Sequence, residues 1–140
     1  DDNDALSLLS QYLEIRFVTG DKKGFAISKK RIVDDMKFPL DLVSTIKRID
    51  WIRDKYCLDT VIYMGDGIFD HYVMNEVSYS IAPSNADVNA KNQADYVTTR
   101  CGGDRAVAEA SLHIMKKFFK SYDSSKLPDA QIKLSGEWGV

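Results

Sequence analysis

The chain reads as an α/β protein built on a parallel sheet with helices on both faces, and three observations predict it. Short β-branched or apolar runs alternate with helical stretches along the sequence. Two of those runs, Glu14-Ile15-Arg16-Phe17-Val18 and Thr60-Val61-Ile62-Tyr63-Met64, end in a turn that pairs glycine with a small polar or acidic side chain. The third observation is size: 140 residues, 44% of them hydrophobic, make one domain with enough apolar material for a core.

Taken in order, a helix is expected near Ala5 to Ser10, because Asp2-Asn3-Asp4 places acids just before an apolar helical pattern, where capping and the helix dipole favour them. A strand follows near Glu14 to Val18, then a helix near Lys22 to Met36 and a short strand near Leu40 to Val43. Lys47 to Tyr56 reads as helical, Thr60 to Met64 as the next strand, and Phe69 to Glu76 as a helix. Tyr79 to Ala82 is a strand, Asp87 to Gln93 a short helix, and Tyr96 to Thr98 an edge strand. Asp104 to Lys120 is the longest helix, with Ala106, Val107, Ala110, Ile114 and Phe118 as its apolar stripe. The organisation is a core over residues 1–120 and a polar, turn-rich tail over 121–140, in which Trp138 stands between glycines as an anchor against a neighbouring subunit.

The most informative junction is Gly65-Asp66-Gly67-Ile68-Phe69-Asp70. Glycine on both sides of Asp66 lets the backbone turn sharply at the carboxyl end of the strand, and Asp70 falls in the first turn of the next helix. Two hard oxygen donors there suit Mg²⁺, while the plainer reading is an Asp that caps a helix after a tight turn. Thr19-Gly20 repeats the geometry after the first strand, offering a hydroxyl and exposed N–H groups to a phosphate oxygen. Lys47 follows the second strand and is placed to reach the same crevice, against the common case of a solvated surface lysine.

Thr-Gly, then Lys, then Gly-Asp-Gly-x-x-Asp after three successive strands resemble the haloacid dehalogenase-like phosphatases. Ala94-Asp95-Tyr96-Val97-Thr98-Thr99, running through Gly102-Gly103 to Ala106-Val107, is similar to the end of the capless phosphatases of 3-deoxy-manno-octulosonate 8-phosphate and nonulosonate 9-phosphates. The resemblance covers about residues 5–119 and implies a Rossmann-like three-layer sandwich without a large cap domain. It implies Thr19 and Gly20 as the phosphate-binding motif, Lys47 as the phosphate-neutralising lysine, and Asp66, supported by Asp70, as the Mg²⁺ site. It further implies a Mg²⁺-dependent phosphatase acting on a small phosphorylated substrate, a sugar-acid phosphate, through an aspartyl phosphate. Capless members cover their sites by assembly, so a homotetramer is expected.

The family's first motif, an apolar strand ending in Asp-x-Asp, supplies the nucleophile and the general acid, and it is not found in the 140 residues. That strand sits at the centre of the family's sheet, between the Thr-Gly and Gly-Asp strands. Its loss would expose unpaired backbone, so the chain is expected to be a fragment, half of a split protein, or a chain whose strand comes from elsewhere. Direct pairing of the Thr-Gly strand with the Gly-Asp strand would refute this.

A net charge of −2 gives no reason to invoke nucleic acid or a membrane surface as partner, and no apolar run or leader-like opening suggests membrane insertion or export. Cys57 and Cys101 have neither metal spacing nor a disulfide framework; they fit a reducing cytoplasm and are expected to pack at a helix end and in a loop. The basic cluster Lys22, Lys23, Lys29, Lys30 and Arg31 reads as a solvated helix face, with Lys22 and Lys23 the candidates for steering an anionic substrate. His71 beside Asp70 reads as a surface or supporting residue and His113 as structural, while Asn85 is expected to bond a neighbour of Asp66. Two rival readings differ in class. One is a non-catalytic oligomerisation or regulatory module, as attached to sialic acid-activating cytidylyltransferases. The other, the phosphorylation domain of a P-type ATPase, lacks a membrane helix and does not fit the Tyr-Val-Thr and Gly-Gly ending.

Overall fold

Helix α1 (Asp2–Leu9) opens the chain and leads through an irregular stretch to β1 (Phe17–Thr19). Helix α2 (Phe25–Lys29) runs on into a π-helical stretch over Lys30–Asp35, and β2 (Leu40–Leu42) is followed by α3 (Thr45–Lys55). A 3₁₀ turn at Leu58–Thr60 precedes β3 (Ile62–Met64), then come α4 (Asp70–Met74), β4 (Tyr79–Ala82), α5 (Val88–Gln93), β5 (Tyr96–Val97) and α6 (Ala106–Phe118). This computed structural model describes residues 1–120 and 122–126. Trp138 and its proposed docking lie outside the described residues. No described helix is long and apolar enough to cross a membrane.

All strand pairs are parallel, as the alternation of strands and helices predicts. They form two sheets among the described residues, β1-β2 and β3-β4-β5. β1 pairs through Phe17↔Leu40 and Thr19↔Leu42, and β3 through Ile62↔Tyr79 and Met64↔Ile81. The Thr-Gly strand and the Gly-Asp strand are therefore not paired with each other, and each has one edge unpaired among the described residues.

Alternation along the strands sorts the core into two faces. Ile62, Met64 and Ile81 pack with Leu9 of α1 and with Ala110, Ile114 and Met115 of α6. Tyr63 and Ala82, pointing the other way, pack with Met74 of α4 and with Ala86 and Ala90 beside and within α5. The result is the helix, sheet, helix sandwich expected from the sequence.

Several local expectations are corrected. The first helix begins at Asp2 rather than near Ala5, so Asp2 and Asp4 lie within its first turn and no side chain caps it, while Asp2 Oδ1 accepts the Ala108 N–H in the first turn of α6 at 2.9 Å. The first strand begins at Phe17 rather than Glu14, since its pairing starts where Leu40 lies opposite, and Arg16 turns its guanidinium to Asp41 at 2.6 Å. Helix α2 begins at Phe25 rather than Lys22 because the Asp21 N–H bonds back to Thr19 Oγ1, holding residues after β1 in a turn. On α6 the buried stripe runs through Ala106, Ala110, Ile114 and fully buried Met115, whereas Phe118 is 42% exposed and meets Tyr79 edge-on. Cys57 and Cys101 are both exposed thiols rather than packed ones.

Candidate functional site

Within each parallel sheet the strands end on the same edge, so the turns after β1 and β2 share the rim of one sheet and the turn after β3 lies on the rim of the other, and Arg48 of α3 bridges the two. The turn after β1 holds Thr19 and Gly20; Thr19 Oγ1 caps the Asp21 N–H at 3.2 Å and its carbonyl takes the Val43 N–H at 2.8 Å. Gly20 lies over the start of α3: a Cβ there would stand 3.6 Å from Ser44 Cα and from Arg48 Nη2. The turn after β2 leads through Ser44, the N-cap of α3, to exposed Lys47.

The turn after β3 carries the acids. Asp70, only 5% exposed, accepts the Gly67 N–H on Oδ2 at 2.7 Å and the Tyr63 hydroxyl on Oδ1 at 2.5 Å. Its carboxylate presses so closely on Gly65 that a Cβ at that position would stand 2.5 Å from Asp70 Cγ, which is the physical reason for glycine there. Asp66 sits at the apex with its side chain exposed, and its carbonyl receives the Asp87 N–H at 2.9 Å, tying the turn to the N-cap of α5.

Arg48 joins the two sheets at this rim. It is buried, donates from Nη2 to the Val43 carbonyl at 2.7 Å and from Nη1 to the Tyr63 hydroxyl at 2.9 Å, and faces Asp70 Oδ1 at 3.4 Å. Burial, and next to it the charge and hydrogen bond of Asp70, push the Tyr63 phenol well above its usual range, so it stays a proton donor to the carboxylate.

The structure thus brings Thr19, Gly20, Lys47, Asp66 and Asp70 to the carboxyl ends of successive parallel strands. Two participants, Arg48 and Tyr63, were not singled out from the sequence. Arg48 is one helical residue beyond Lys47, about 100° around the axis, and only tertiary contact shows which of two adjacent cations turns inward. His71 meets Tyr72 in a tilted ring contact with centroids 4.1 Å apart, and His113 stacks on Tyr96 at 3.7 Å and meets the Tyr79 hydroxyl at 2.7 Å, a structural role. Asn85 does not reach a neighbour of Asp66: its Oδ1 accepts the Gly102 N–H at 2.7 Å, because the loop after β4 packs against the Gly-Gly turn.

The donor set has a clear character. No group of three or more His, Cys, Asp or Glu side chains able to hold a metal occurs among the described residues. Asp66 offers an exposed carboxylate, whereas both Asp70 oxygens are engaged within the fold. One protein carboxylate completed by water and phosphate oxygens is a donor set that Mg²⁺ accepts. The residues therefore fit a hard cation at Asp66, with Asp70 holding the turn behind it.

Residues 27–110 match the model of the haloacid dehalogenase-like hydrolases, and the chain belongs to that family. Solved structures share the fold. The 3-deoxy-D-manno-octulosonate 8-phosphate phosphatase from Yersinia pestis is similar with a TM-score of 0.67 at 22% identity, over 82% of this chain and 64% of that one. The chain thus spans less than two thirds of that protein's length. The corresponding phosphatase from Moraxella catarrhalis, in complex with a magnesium ion, a phosphate ion and a KDO molecule, has a TM-score of 0.69 at 21% identity over 82% and 68% of the two chains. A cobalt-bound form from Haemophilus influenzae gives a TM-score of 0.65 at 20% identity over 82% and 68%.

Proposed function

We propose that this chain carries the phosphate- and metal-binding part of a cytoplasmic Mg²⁺-dependent phosphatase that hydrolyses a small phosphorylated metabolite, a sugar-acid phosphate, through an aspartyl phosphate. The observation that carries the reading is the placement of Thr19-Gly20, Lys47 and Asp66 after the carboxyl ends of β1, β2 and β3, with Arg48 reaching from beside Gly20 to Tyr63 and Asp70. In this reading the Gly20 N–H and the Thr19 hydroxyl orient the phosphate oxygens and Lys47 balances their charge. Asp66 is the protein ligand of Mg²⁺, and Asp70 and Arg48 keep its turn in place. The bound cation supplies charge neutralisation for the phosphoryl group. Positioning and electrostatics then provide most of the rate, as in other phosphoryl transfers.

The nucleophile and general acid are proposed to come from an apolar strand ending in Asp-x-Asp, seated against the edges that β1 and β3 leave unpaired among the described residues. The first carboxylate would attack phosphorus and release the alcohol, and water would then cleave the acyl phosphate. A homotetramer that covers the open rim is part of the same proposal. The second reading, a non-catalytic assembly module, is favoured by those same unpaired edges.

The test combines intact-mass determination of the native protein with phosphate release from p-nitrophenyl phosphate. Activity that requires Mg²⁺ and is abolished by Asp66→Ala supports the phosphatase. A folded native protein with no activity, in the same oligomeric state with and without Asp66→Ala, supports the assembly module.

A further inference from the structure

The net charge of −2 conceals a local excess of the opposite sign. Residues 22–31 hold five of the chain's 19 lysines and arginines and no acid. Lys22 stands nearest the turn after β1, while Lys23, Lys29, Lys30 and Arg31 follow along the segment that α2 and the π-helical stretch form together. All four are exposed, and none has an ion-pair, hydrogen-bond or ring partner among the described residues. Asp21 before them and Asp34 and Asp35 after them bound the patch and form no ion pair with it.

The core decides which side of this segment faces in. Ile32 is buried, and Phe25 and Ser28, on the same side of the helix, are half-buried. The other side carries Ile27, which at 79% is the most exposed large apolar side chain among the described residues. Lys30 and Arg31 lie at i+3 and i+4 from Ile27 and so flank it on one face, and Lys23 stands just before the N-cap Gly24. A lone exposed isoleucine is ordinary on a protein surface. One flanked by unpaired cations on a helix face is the pattern of helices that lie in a membrane interface, with the apolar side chain among acyl chains and the cations at the headgroups.

We propose that this face docks on an anionic lipid surface, with Lys23, Lys29, Lys30 and Arg31 at the headgroups and Ile27 beneath them. The charges are complementary, and each Lys or Arg near such a surface strengthens binding about fivefold. The attachment is peripheral and salt-sensitive, and no described helix needs to cross the bilayer. A nucleic acid suits the face less well. Bases stack on exposed aromatic rings, and the one aromatic residue between 22 and 31 is half-buried Phe25, while Ile27 gains nothing from a phosphate backbone. None of Thr19, Gly20, Lys47, Asp66 and Asp70 belongs to the face, so the proposal stands or falls apart from the phosphatase reading.

Flotation of the native protein with phosphatidylcholine vesicles containing about one third phosphatidylserine is the test. The protein is expected to float with these vesicles and not with pure phosphatidylcholine, and to be released near 1 M salt, where the screening length falls to about 3 Å. Lys30→Gln and Arg31→Gln are each expected to weaken the partition about fivefold. Ile27→Ser is expected to weaken it by at least about the same factor, through lost apolar burial. Lys116→Gln, at an exposed position of α6 outside the patch, is expected to change nothing. Unchanged urea midpoints in these variants, all at exposed positions, show that the fold is kept. Absence of flotation with the phosphatidylserine vesicles overturns the proposal, as does an equal loss in Lys116→Gln and Lys30→Gln. Binding of a single-stranded oligonucleotide that Lys30→Gln weakens and Ile27→Ser leaves unchanged, without flotation, also overturns it and makes the face a nucleic-acid surface.

Discussion

The Tyr63 hydroxyl donates to Asp70 Oδ1 at 2.5 Å, while the Arg48 guanidinium reaches both from α3. A phenol from β3, a carboxylate from α4 and a cation from α3 thus form one buried unit behind the exposed Asp66. The order of the turn after β3 depends on it, since Asp70 also receives the Gly67 N–H. Any role of Asp66 in binding a cation is set by groups that do not touch that cation.

Tyr63→Phe removes the donor and keeps the ring. Asp70 Oδ1 then retains only the longer contact to Arg48, and a buried acceptor is left short of a partner. The expected cost is about 1–3 kcal/mol, read as a lower urea midpoint with an unchanged denaturant slope. An unchanged midpoint would show that water replaces the hydroxyl at no cost.

How far this unit was legible in the sequence can be argued residue by residue. Gly65-Asp66-Gly67 was legible because two glycines around an acid after a β-branched run specify a turn at a strand's end, and a Cβ at Gly65 would indeed collide with Asp70. The separation of the Thr-Gly and Gly-Asp strands was legible from the resemblance, which assigns a strand between them. Tyr63 was read only as one of five strand residues, since periodicity says which face it joins and not that its hydroxyl meets Asp70. Lys47 and Arg48 carry the same charge on adjacent residues, and which one turns inward depends on the sheet against which α3 packs. The stripe on α6 failed at Phe118 for a related reason: Met115 fills the space over the sheet, and the ring is left at the rim.

Arg48 and Asp70 are an ion pair with both side chains more than nine-tenths buried, so removing one partner strands the other charge. Arg48→Met alone is expected to destabilise by about 3–5 kcal/mol. Asp70→Asn alone leaves a neutral amide that still accepts the Gly67 N–H, and the double variant removes both charges. The double variant is expected to cost less than the sum of the singles by at least about 1 kcal/mol, measured by a double-mutant cycle in urea. Additive costs would mean that Arg48 acts only through the Val43 carbonyl and the Tyr63 hydroxyl.

Acid stability is governed by Glu109 of α6, which holds the loop after β5. Its carboxylate takes the Tyr96 hydroxyl at 2.7 Å, the Thr99 N–H and hydroxyl at 2.9 Å, and the Arg100 N–H at 3.0 Å, pinning the loop after β5 to the helix. Burial pushes the carboxyl upward, but the bonds from Tyr96, Thr99 and Arg100 outweigh it and hold the pKa at about 2, against 4.5 for an ordinary Glu. The Tyr96 phenol, hydrogen-bonded to that carboxylate and partly buried, is pushed up to about 12 and remains the donor. Because the folded chain holds this proton less tightly than the unfolded chain, the stabilisation is complete above pH 4.5 and is lost as pH falls toward about 2. His113, lowered by burial and then by Lys117, acts in the same direction at higher pH: the unfolded chain takes up its proton first as pH drops. Glu109→Gln is therefore expected to flatten the fall in unfolding free energy between pH 4.5 and 2, measured by urea titration at a series of pH values. The same variant is expected to lose about 1–2 kcal/mol at pH 7, where the native carboxylate is fully charged. An undiminished acid dependence in Glu109→Gln would assign the transition to other carboxylates.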